Sequence, residues 1–112
     1  MQKFLLLYQS TVPASEQMKS VTPEQAKAGM DAWMSWAGRA GGGIVDMGSP
    51  VATAARLNGS GQMTGGNSQV GGYSILQAES NDALMNLLNN HPHFTSPGAS
   101  IEVFEFLAMP AM

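Results

Sequence analysis

The segment from Gly71 to Leu84 constrains the fold of this 112-residue chain more than any other stretch. In an extended conformation its first half alternates between two faces, and both faces are mostly apolar. One face carries Tyr73, Ile75 and Gln77, and the other carries Ser74, Leu76 and Ala78. Ser80 or Asn81 then offers an oxygen to the first free N–H groups of a helix, and Asp82 adds negative charge there. The segment predicts a central strand, covered on both sides, that leads directly into a helix.

Length, charge and cysteine content limit the class of protein. With 112 residues and 44% hydrophobic content, the chain is expected to form one domain over residues 1–112 with one modest core. All five Lys and Arg residues lie at or before Arg56, so the acidic residues of the second half are unopposed. We therefore expect no nucleic-acid partner and no phosphate-binding surface there. The chain has no cysteine, which excludes disulfides, thiolate metal ligands and a cysteine nucleophile.

The first residues resemble the start of a signal peptide but favour a strand. Lys3 is followed by five apolar residues, Phe4 to Tyr8, whereas a signal core needs about 7 to 15. No apolar run approaches the roughly 20 residues of a membrane-spanning helix. We expect an interior strand over Lys3–Gln9, no membrane partner and a cytoplasmic location.

The next predicted elements are a polar connection and a long helix. Ser10 to Val21 is interpreted as an irregular connection. Thr22, Pro23 and Gln25 form a capping box with proline at the first helical position, and the helix runs to about Ala40. Its inward stripe is predicted to contain Ala26, Met30, Trp33 and Ala37, flanked by Met34 and Trp36.

The remaining elements alternate in type. Ile44–Met47 is predicted as an edge strand beside the central strand, and Val51–Leu57 as its extension or a hairpin arm. The glycine-rich stretch Gly59–Gly72 is interpreted as a flexible loop. A second helix over Asn81–Asn90 should bury leucines, and Ile101–Leu107 should form the last strand. Those leucines are Leu84, Leu87 and Leu88.

The order β-α-β-β-α-β predicts an α+β fold of the ferredoxin-like type, with a four-stranded antiparallel sheet and both helices on one face. Two helices cover only one face, yet the first and third strands are apolar on both. A second copy of the same sheet is the simplest cover for the other face. We therefore predict a homodimer joined through its sheets.

Five short motifs, in their order and spacing over nearly the whole chain, resemble the YCII-related proteins, also called the DGPF group. They are Phe4–Tyr8, Gly72–Ile75, Ala78–Ser80 with Ala83, His91–Pro92, and Ile101–Val103. The resemblance implies a dimeric α+β barrel of two ferredoxin-like subunits, with a small-molecule cleft in each subunit near the dimer interface.

Two departures limit what the resemblance carries over. Many relatives place an Asp-Gly-Pro-Phe loop before the third strand, where this chain has Gly65–Ser68. Some members are thought to act through a His-Asp pair with the His at the start of the first helix. This chain has no His before His91, so that mechanism does not transfer.

His91 is the leading candidate for catalysis, because it matches the family's His-Pro and imidazole titrates near neutral pH. The preferred alternative is a helix-ending residue whose ring bonds the last free carbonyls. His93 is expected to face solvent. Because Pro92 separates the two histidines and no third ligand is near, we expect no metal site.

The other candidates line the proposed cleft. Asp46 either points into the cleft, where desolvation would raise its pKa, or is an edge-strand charge that prevents aggregation. Tyr8 and Tyr73 are candidate ligand contacts, although each also suits a core aromatic. Trp36, with Trp33, is a candidate for an aromatic pocket, although Trp33 fits the core stripe better.

Two functions follow from these residues. The chain has no phosphate-binding glycine motif and no recognisable acid-base pair, so we expect no cofactor and prefer a dimeric, non-catalytic or regulatory protein that binds a small molecule. The alternative is a cofactor-independent lyase or isomerase on a small aromatic or cyclic molecule. In that enzyme His91 would transfer a proton, with Asp46 or Tyr73 as its partner.

Overall fold

The computed structural model describes residues 1–65 and 68–110. Its strands are β1 (Gln2–Gln9), β2 (Ile44–Asp46), β3 (Arg56–Leu57), β4 (Met63–Thr64), β5 (Val70–Ala78) and β6 (Ser100–Glu105). Its helices are α1 (Ala14–Lys19), α2 (Pro23–Ala40) and α3 (Asn81–Leu88), with short 3-10 helices at Gly41–Gly43 and Pro92–Thr95. Four strands form an antiparallel sheet in the order β2-β5-β1-β6. The predicted α+β sheet of ferredoxin-like order is thereby confirmed.

The helix starts follow from local side-chain chemistry. The Gln25 N–H donates to Thr22 Oγ1 at 3.1 Å, and the Thr22 N–H donates to Gln25 Oε1 at 3.0 Å, so the capping box is complete. At α3, Ser80 Oγ accepts from the Ala83 N–H at 3.1 Å, which makes Ser80 the cap and not Asn81. Both predicted helix starts are confirmed.

The core lies between one face of the sheet and the helices α2 and α3. Its buried apolar residues are Phe4, Leu6, Tyr8, Trp36, Ala40, Leu76, Ala78, Leu84 and Leu88. On the opposite face, here called the open face, Leu5, Leu7, Tyr73 and Ile75 are only half-buried. Phe104 of β6, which pairs with Leu5, is 43% exposed. Within the described chain, helices cover the sheet on one side only.

The connection between β1 and α2 was expected to be irregular, and that expectation is wrong. It contains α1, which follows Pro13 and consists largely of good helix formers. The Gln17 side chain fixes it to the end of β1, since its Nε2 donates to Ser10 Oγ at 3.2 Å and to the Val12 carbonyl at 2.7 Å.

The predicted inward stripe of α2 is only partly covered. Trp36 and Ala40 are buried, while Ala26 is exposed and Met30 is 63% exposed. The cause is the position of the helix along the sheet: Trp33 packs beside Tyr8, near the last residue of β1. Residues Pro23–Ala32, here called the overhang, come before Trp33 and therefore extend about 15 Å beyond the end of β1. Every residue of the overhang is exposed.

A second projection leaves the same end of the sheet. Residues Val51–Gly65, here called the arm, contain β3 and β4 as a hairpin in which Leu57 pairs with Met63. The turn is fixed by Asn58, whose Oδ1 accepts from the N–H groups of Ser60 and Gln62 at 3.1 and 2.9 Å. The hairpin interpretation of Val51–Leu57 is therefore confirmed only at Arg56–Leu57, since residues 51–55 form no strand.

The loop interpretation of Gly59–Gly72 is wrong at Met63–Thr64 and from Val70 onward, where the chain forms strands. Gly66 and Asn67, in the stretch that replaces the Asp-Gly-Pro-Phe loop, lie outside the described residues. At the base of the arm, Gly48 has φ +79°, and a Cβ there would lie 1.7 Å from the Tyr73 carbonyl oxygen. Glycine is required there for the chain to pass from β2 into the arm against β5.

Candidate functional site

Five aromatic residues meet at the end of β1 and form what we call the aromatic cluster: Tyr8, Trp33, Trp36, His91 and His93. The two histidines come from the turn after α3, where Pro92 begins a 3-10 helix. The centroid of the His91 ring lies 4.3 Å from Trp36, 4.7 Å from Trp33 and 5.1 Å from Tyr8. His91 is 2% exposed, so the three aromatic rings enclose its imidazole almost completely.

A chain of hydrogen bonds runs from His91 through the sheet. Ser74 Oγ donates to the Met47 carbonyl at 2.6 Å, and the Tyr8 hydroxyl donates to Ser74 Oγ at 2.8 Å. His91 Nε2 lies 3.3 Å from the Tyr8 hydroxyl oxygen, whose proton is already used. His91 Nδ1 accepts from the His93 N–H at 3.0 Å. The proton of the ring therefore sits on Nε2, and His91 is a neutral imidazole that donates to Tyr8.

Burial favours the uncharged forms of both titratable members of this chain. It lowers the pKa of His91 to about 4, and the electrostatic effects of His93 and Arg39 act in the same direction. Burial also raises the pKa of the Tyr8 hydroxyl to about 12, against a smaller opposing effect of the Ser74 hydrogen bond. At neutral pH the chain of hydrogen bonds carries no net charge.

Two expectations about the histidines are wrong. The His91 ring does not bond the last carbonyls of α3, because Pro92 turns the backbone so that Nδ1 meets the His93 N–H instead. His93 does not face solvent, since it is only 9% exposed. Its Nε2 lies 2.8 Å from the Gln9 carbonyl and 3.0 Å from the Ser100 carbonyl, so it joins the ends of β1 and β6.

Asp46 and Tyr73 lie on the open face, away from the cluster. Tyr73 neighbours Ser74 on β5 and so points to the opposite side of the sheet. Asp46 is exposed; its Oδ1 accepts from the Gly48 N–H at 2.8 Å, and its Oδ2 lies 3.5 Å from the Tyr73 hydroxyl. The structure thus brings Tyr8, Trp36 and His91 together and separates them from Asp46 and Tyr73.

The two tryptophans exchange the roles expected of them. Trp36 is 1% exposed, and its indole N–H donates to the Leu87 carbonyl at 2.7 Å, so it is a core residue. Trp33, which was expected in the core, is partly exposed beside the overhang. The helical spacing puts both tryptophans on one side of α2. Whether each is buried depends on where along the sheet it packs, which the spacing does not give. Phe94, which is 53% exposed, follows His93 and was also missed by the sequence pattern.

Within residues 1–65 and 68–110, no three His, Cys, Asp or Glu side chains are grouped as metal ligands would be. In that same part of the chain no helix is both long and apolar enough to cross a membrane. Every buried side-chain nitrogen and oxygen described has a hydrogen-bond partner. The polar atoms of the cluster are therefore satisfied within the protein itself.

No family model and no curated protein matches the chain. Among solved structures, it is similar to 5-chloro-2-hydroxyhydroquinone dehydrochlorinase (TftG) from Burkholderia phenoliruptrix AC1100, in complex with 2,5-dihydroxybenzoquinone. The identity is 21% over 89% of this chain and 90% of that chain, with a TM-score of 0.47. This similarity assigns neither a family nor an activity, and membership of the YCII-related group stays a prediction from the sequence motifs.

Proposed function

We propose that this protein is a non-catalytic homodimer that binds a small aromatic or apolar molecule at the outer side of the aromatic cluster. The observation that carries the proposal is the partly exposed ring of Trp33, held edge-on against Tyr8 and His91 at centroid distances of 5.1 and 4.7 Å. Met30 lies one helical turn before Trp33, and the Phe94 ring lies 6.4 Å from the His91 ring; both side chains are more than half exposed. A fixed aromatic ring beside an adaptable methionine suits a planar apolar ligand.

The hydrogen bonds of His91 favour binding over chemistry. A general base needs a free lone pair within reach of the substrate proton. The Nδ1 lone pair of His91 is occupied by the His93 N–H, and its Nε2–H is directed to Tyr8. With its pKa lowered to about 4, His91 is also a weak base. The cluster therefore supplies a fixed, uncharged wall to the site.

The open face supports the dimer. Its centre is made of half-buried Leu5, Leu7 and Ile75, with Phe104 beside them. Strands β1, β5 and β6 are six to nine residues long and β2 has three, so at a spacing of about 4.8 Å the four strands present roughly 400 Å² per subunit. Two such faces bury roughly 800 Å² in total, which is below the range of about 1,200 to 2,000 Å² for stable interfaces. The dimer is thus an α+β barrel whose interface is centred on β1, β5 and β6.

The test is a calorimetric titration of the protein with single-ring aromatics such as phenol and phenylacetate. Trp33→Phe should keep the affinity within about threefold, whereas Trp33→Ala should weaken it by about tenfold or more. Met85→Ala, an exposed site on α3, is the control and should change nothing. Equal affinities for Trp33→Ala and the control would remove the ligand site from the cluster.

One observation favours the enzymatic alternative. The His91–Tyr8 contact of 3.3 Å is longer than the 2.8 Å bond between Tyr8 and Ser74, so it is the link that a substrate hydroxyl would replace most easily. In this alternative Tyr8, and not Asp46 or Tyr73, is the partner of His91. Turnover of the bound aromatic should then fall about 10² to 10⁴-fold in His91→Ala, with the dimer intact. Unchanged turnover would exclude His91 as the proton-transfer group.

A further inference from the structure

Two apolar surfaces project from the same end of the sheet, and this subunit covers neither. On α2, Ala26, Met30 and Met34 form an exposed ridge at four-residue spacing, with Met30 63% and Met34 59% exposed. On the arm, Leu57 and Met63 pair directly across the hairpin and are 64% and 72% exposed. Such surfaces on one chain are expected to be covered in the assembled protein.

We propose that the arm of each subunit packs on the α2 ridge of its partner, so that Leu57 and Met63 of one copy cover Met30 and Met34 of the other. This inference rests on the proposed dimer and adds a second contact to its interface. The occupant of the ridge is thus another copy of this chain.

The size of the interface supports this arrangement. The open face alone accounts for roughly 800 Å², whereas standard stable interfaces bury about 1,600 Å². Two reciprocal arm–ridge contacts would supply the difference from residues that are otherwise exposed. The arm also needs a cover for its own sake, since a two-stranded hairpin is marginally stable alone in water. Here each of its strands has only two residues.

The arm is long enough to reach the partner's ridge. From Pro50 to Leu57 an extended chain spans up to about 23 Å. Two stacked sheets lie about 10 Å apart, and the helix layer adds about 10 Å beyond the partner's sheet, so the distance to be crossed is roughly 20 Å. Both projections leave the sheet beyond Gln9, which pairs with Val70. In the proposed arrangement the two-fold axis runs along the strands, so that these ends of the two subunits lie side by side.

The base of the arm is fixed to the edge of the sheet where β2 lies. The Val51 N–H donates to the Gly71 carbonyl at 3.0 Å, and Pro50 bridges to Gly72, so the arm starts on the β2 side of β5. Among the described residues no hydrogen bond joins the arm to α2. The ridge continues directly to Trp33, so the partner's arm would also close the outer side of the ligand site. A site completed in this way is incomplete in a lone subunit.

Disulfide trapping tests the contact, because the chain has no cysteine of its own. The Leu57→Cys and Met30→Cys variants are purified separately, mixed so that their subunits exchange, and then oxidised. The products are separated by mass on a gel without reductant. We expect a covalent dimer of twice 11.8 kDa that contains one chain of each variant. Leu57→Cys mixed with Met85→Cys is the matched control, with an exposed partner site on α3, and should give at least tenfold less of the mixed dimer.

A second measurement compares dissociation constants by sedimentation. Leu57→Asp with Met63→Asp should weaken the dimer at least about tenfold, while Gln62→Asp, an exposed polar position on the same arm, should stay within about twofold. A covalent bond within one chain of the double variant Met30→Cys, Leu57→Cys would show that the arm folds onto its own helix and would overturn the proposal. A stable dimer that gives no trapped product would also overturn it while leaving the proposed dimer in place. A monomeric wild-type protein would instead refute the proposed dimer itself.

Discussion

The two faces of strands β1 and β5 carry similar apolar side chains but have different surroundings. Leu6 and Leu76 on the helix side are fully buried, whereas their neighbours Leu5, Leu7 and Ile75 on the open face are half-buried. The buried polar atoms of Ser74, Tyr8 and His91 all lie on the helix side, where each has a partner. One face therefore stabilises the subunit, and the apolar character of the other is the basis of the proposed dimer.

The largest expected effect contrasts two adjacent residues of β1. Leu6→Ala should lower the free energy of unfolding by about 2 to 5 kcal/mol, because the site is sealed and the cavity cannot fill. Urea denaturation at several protein concentrations measures this loss, which should not depend on concentration. Leu7→Ala should lower the free energy of unfolding of the separated subunit by clearly less than Leu6→Ala does. Equal losses at the two positions would mean that the faces do not differ as described.

Leu7→Asp should disrupt the dimer contact made by the open face without unfolding the subunit. A carboxylate placed at the centre of a sheet-to-sheet interface is desolvated and unpaired, so we expect the dimer to dissociate at least about 100-fold more readily. Sedimentation velocity at micromolar concentration, with circular dichroism as the folding control, measures the change. Met85→Asp on the solvent side of α3 should leave assembly unaltered. A wild-type protein that is already monomeric at that concentration contradicts the prediction.

The helix side should be sensitive to acid through His91. Its pKa is about 4 in the folded protein and 6.5 in the unfolded chain, so the unfolded state binds the extra proton first as pH falls. The stabilisation present above pH 6.5 should therefore be lost between pH 6.5 and 4, by about 2 to 3 kcal/mol after allowance for solvent screening. The measurement is denaturant unfolding as a function of pH. The His91→Gln variant keeps all the carboxylates of the wild-type protein, so it is the control for their titration. In this variant the loss of stability between pH 6.5 and 4 that comes from His91 should disappear.

The smallest effect concerns the backbone of the arm and needs no substitution. Amides from Gly59 to Gly65 should exchange faster than those of Tyr73 to Ala78, because the arm is exposed and its ladder is only two residues long. Hydrogen exchange followed by mass spectrometry gives the comparison. Dilution of the protein into its monomeric range should accelerate exchange at Leu57 and Met63 further if the partner covers them. Protection equal to that of β5 at every dilution would contradict the low stability of the arm.

The four strands of the sheet, both helix starts and the strand alternation were predictable, because short-range rules govern them, whereas α1 and β4 were not predicted. Thr22 and Gln25 lie within one turn of each other, and the alternation from Tyr73 to Ala78 is set by the pleat. The site was predictable only in part. Tyr8 and His91 were both candidates, but their contact joins residues 83 positions apart. Asp46 and Tyr73 were expected as partners of His91 but lie on the other face of the sheet, because alternation does not state which face the helices cover.

The sequence alone determined which side chains share a face, where each helix begins, and that a single subunit has more apolar sheet surface than two helices can cover. Only the tertiary structure decided that Trp36 is sealed and Trp33 is not, that His93 joins two strand ends, and that half of α2 overhangs the sheet. The physical reason is that periodicity fixes the direction of a side chain within its own element. Its burial depends on how far that element slides along its neighbours, which are encoded tens of residues away.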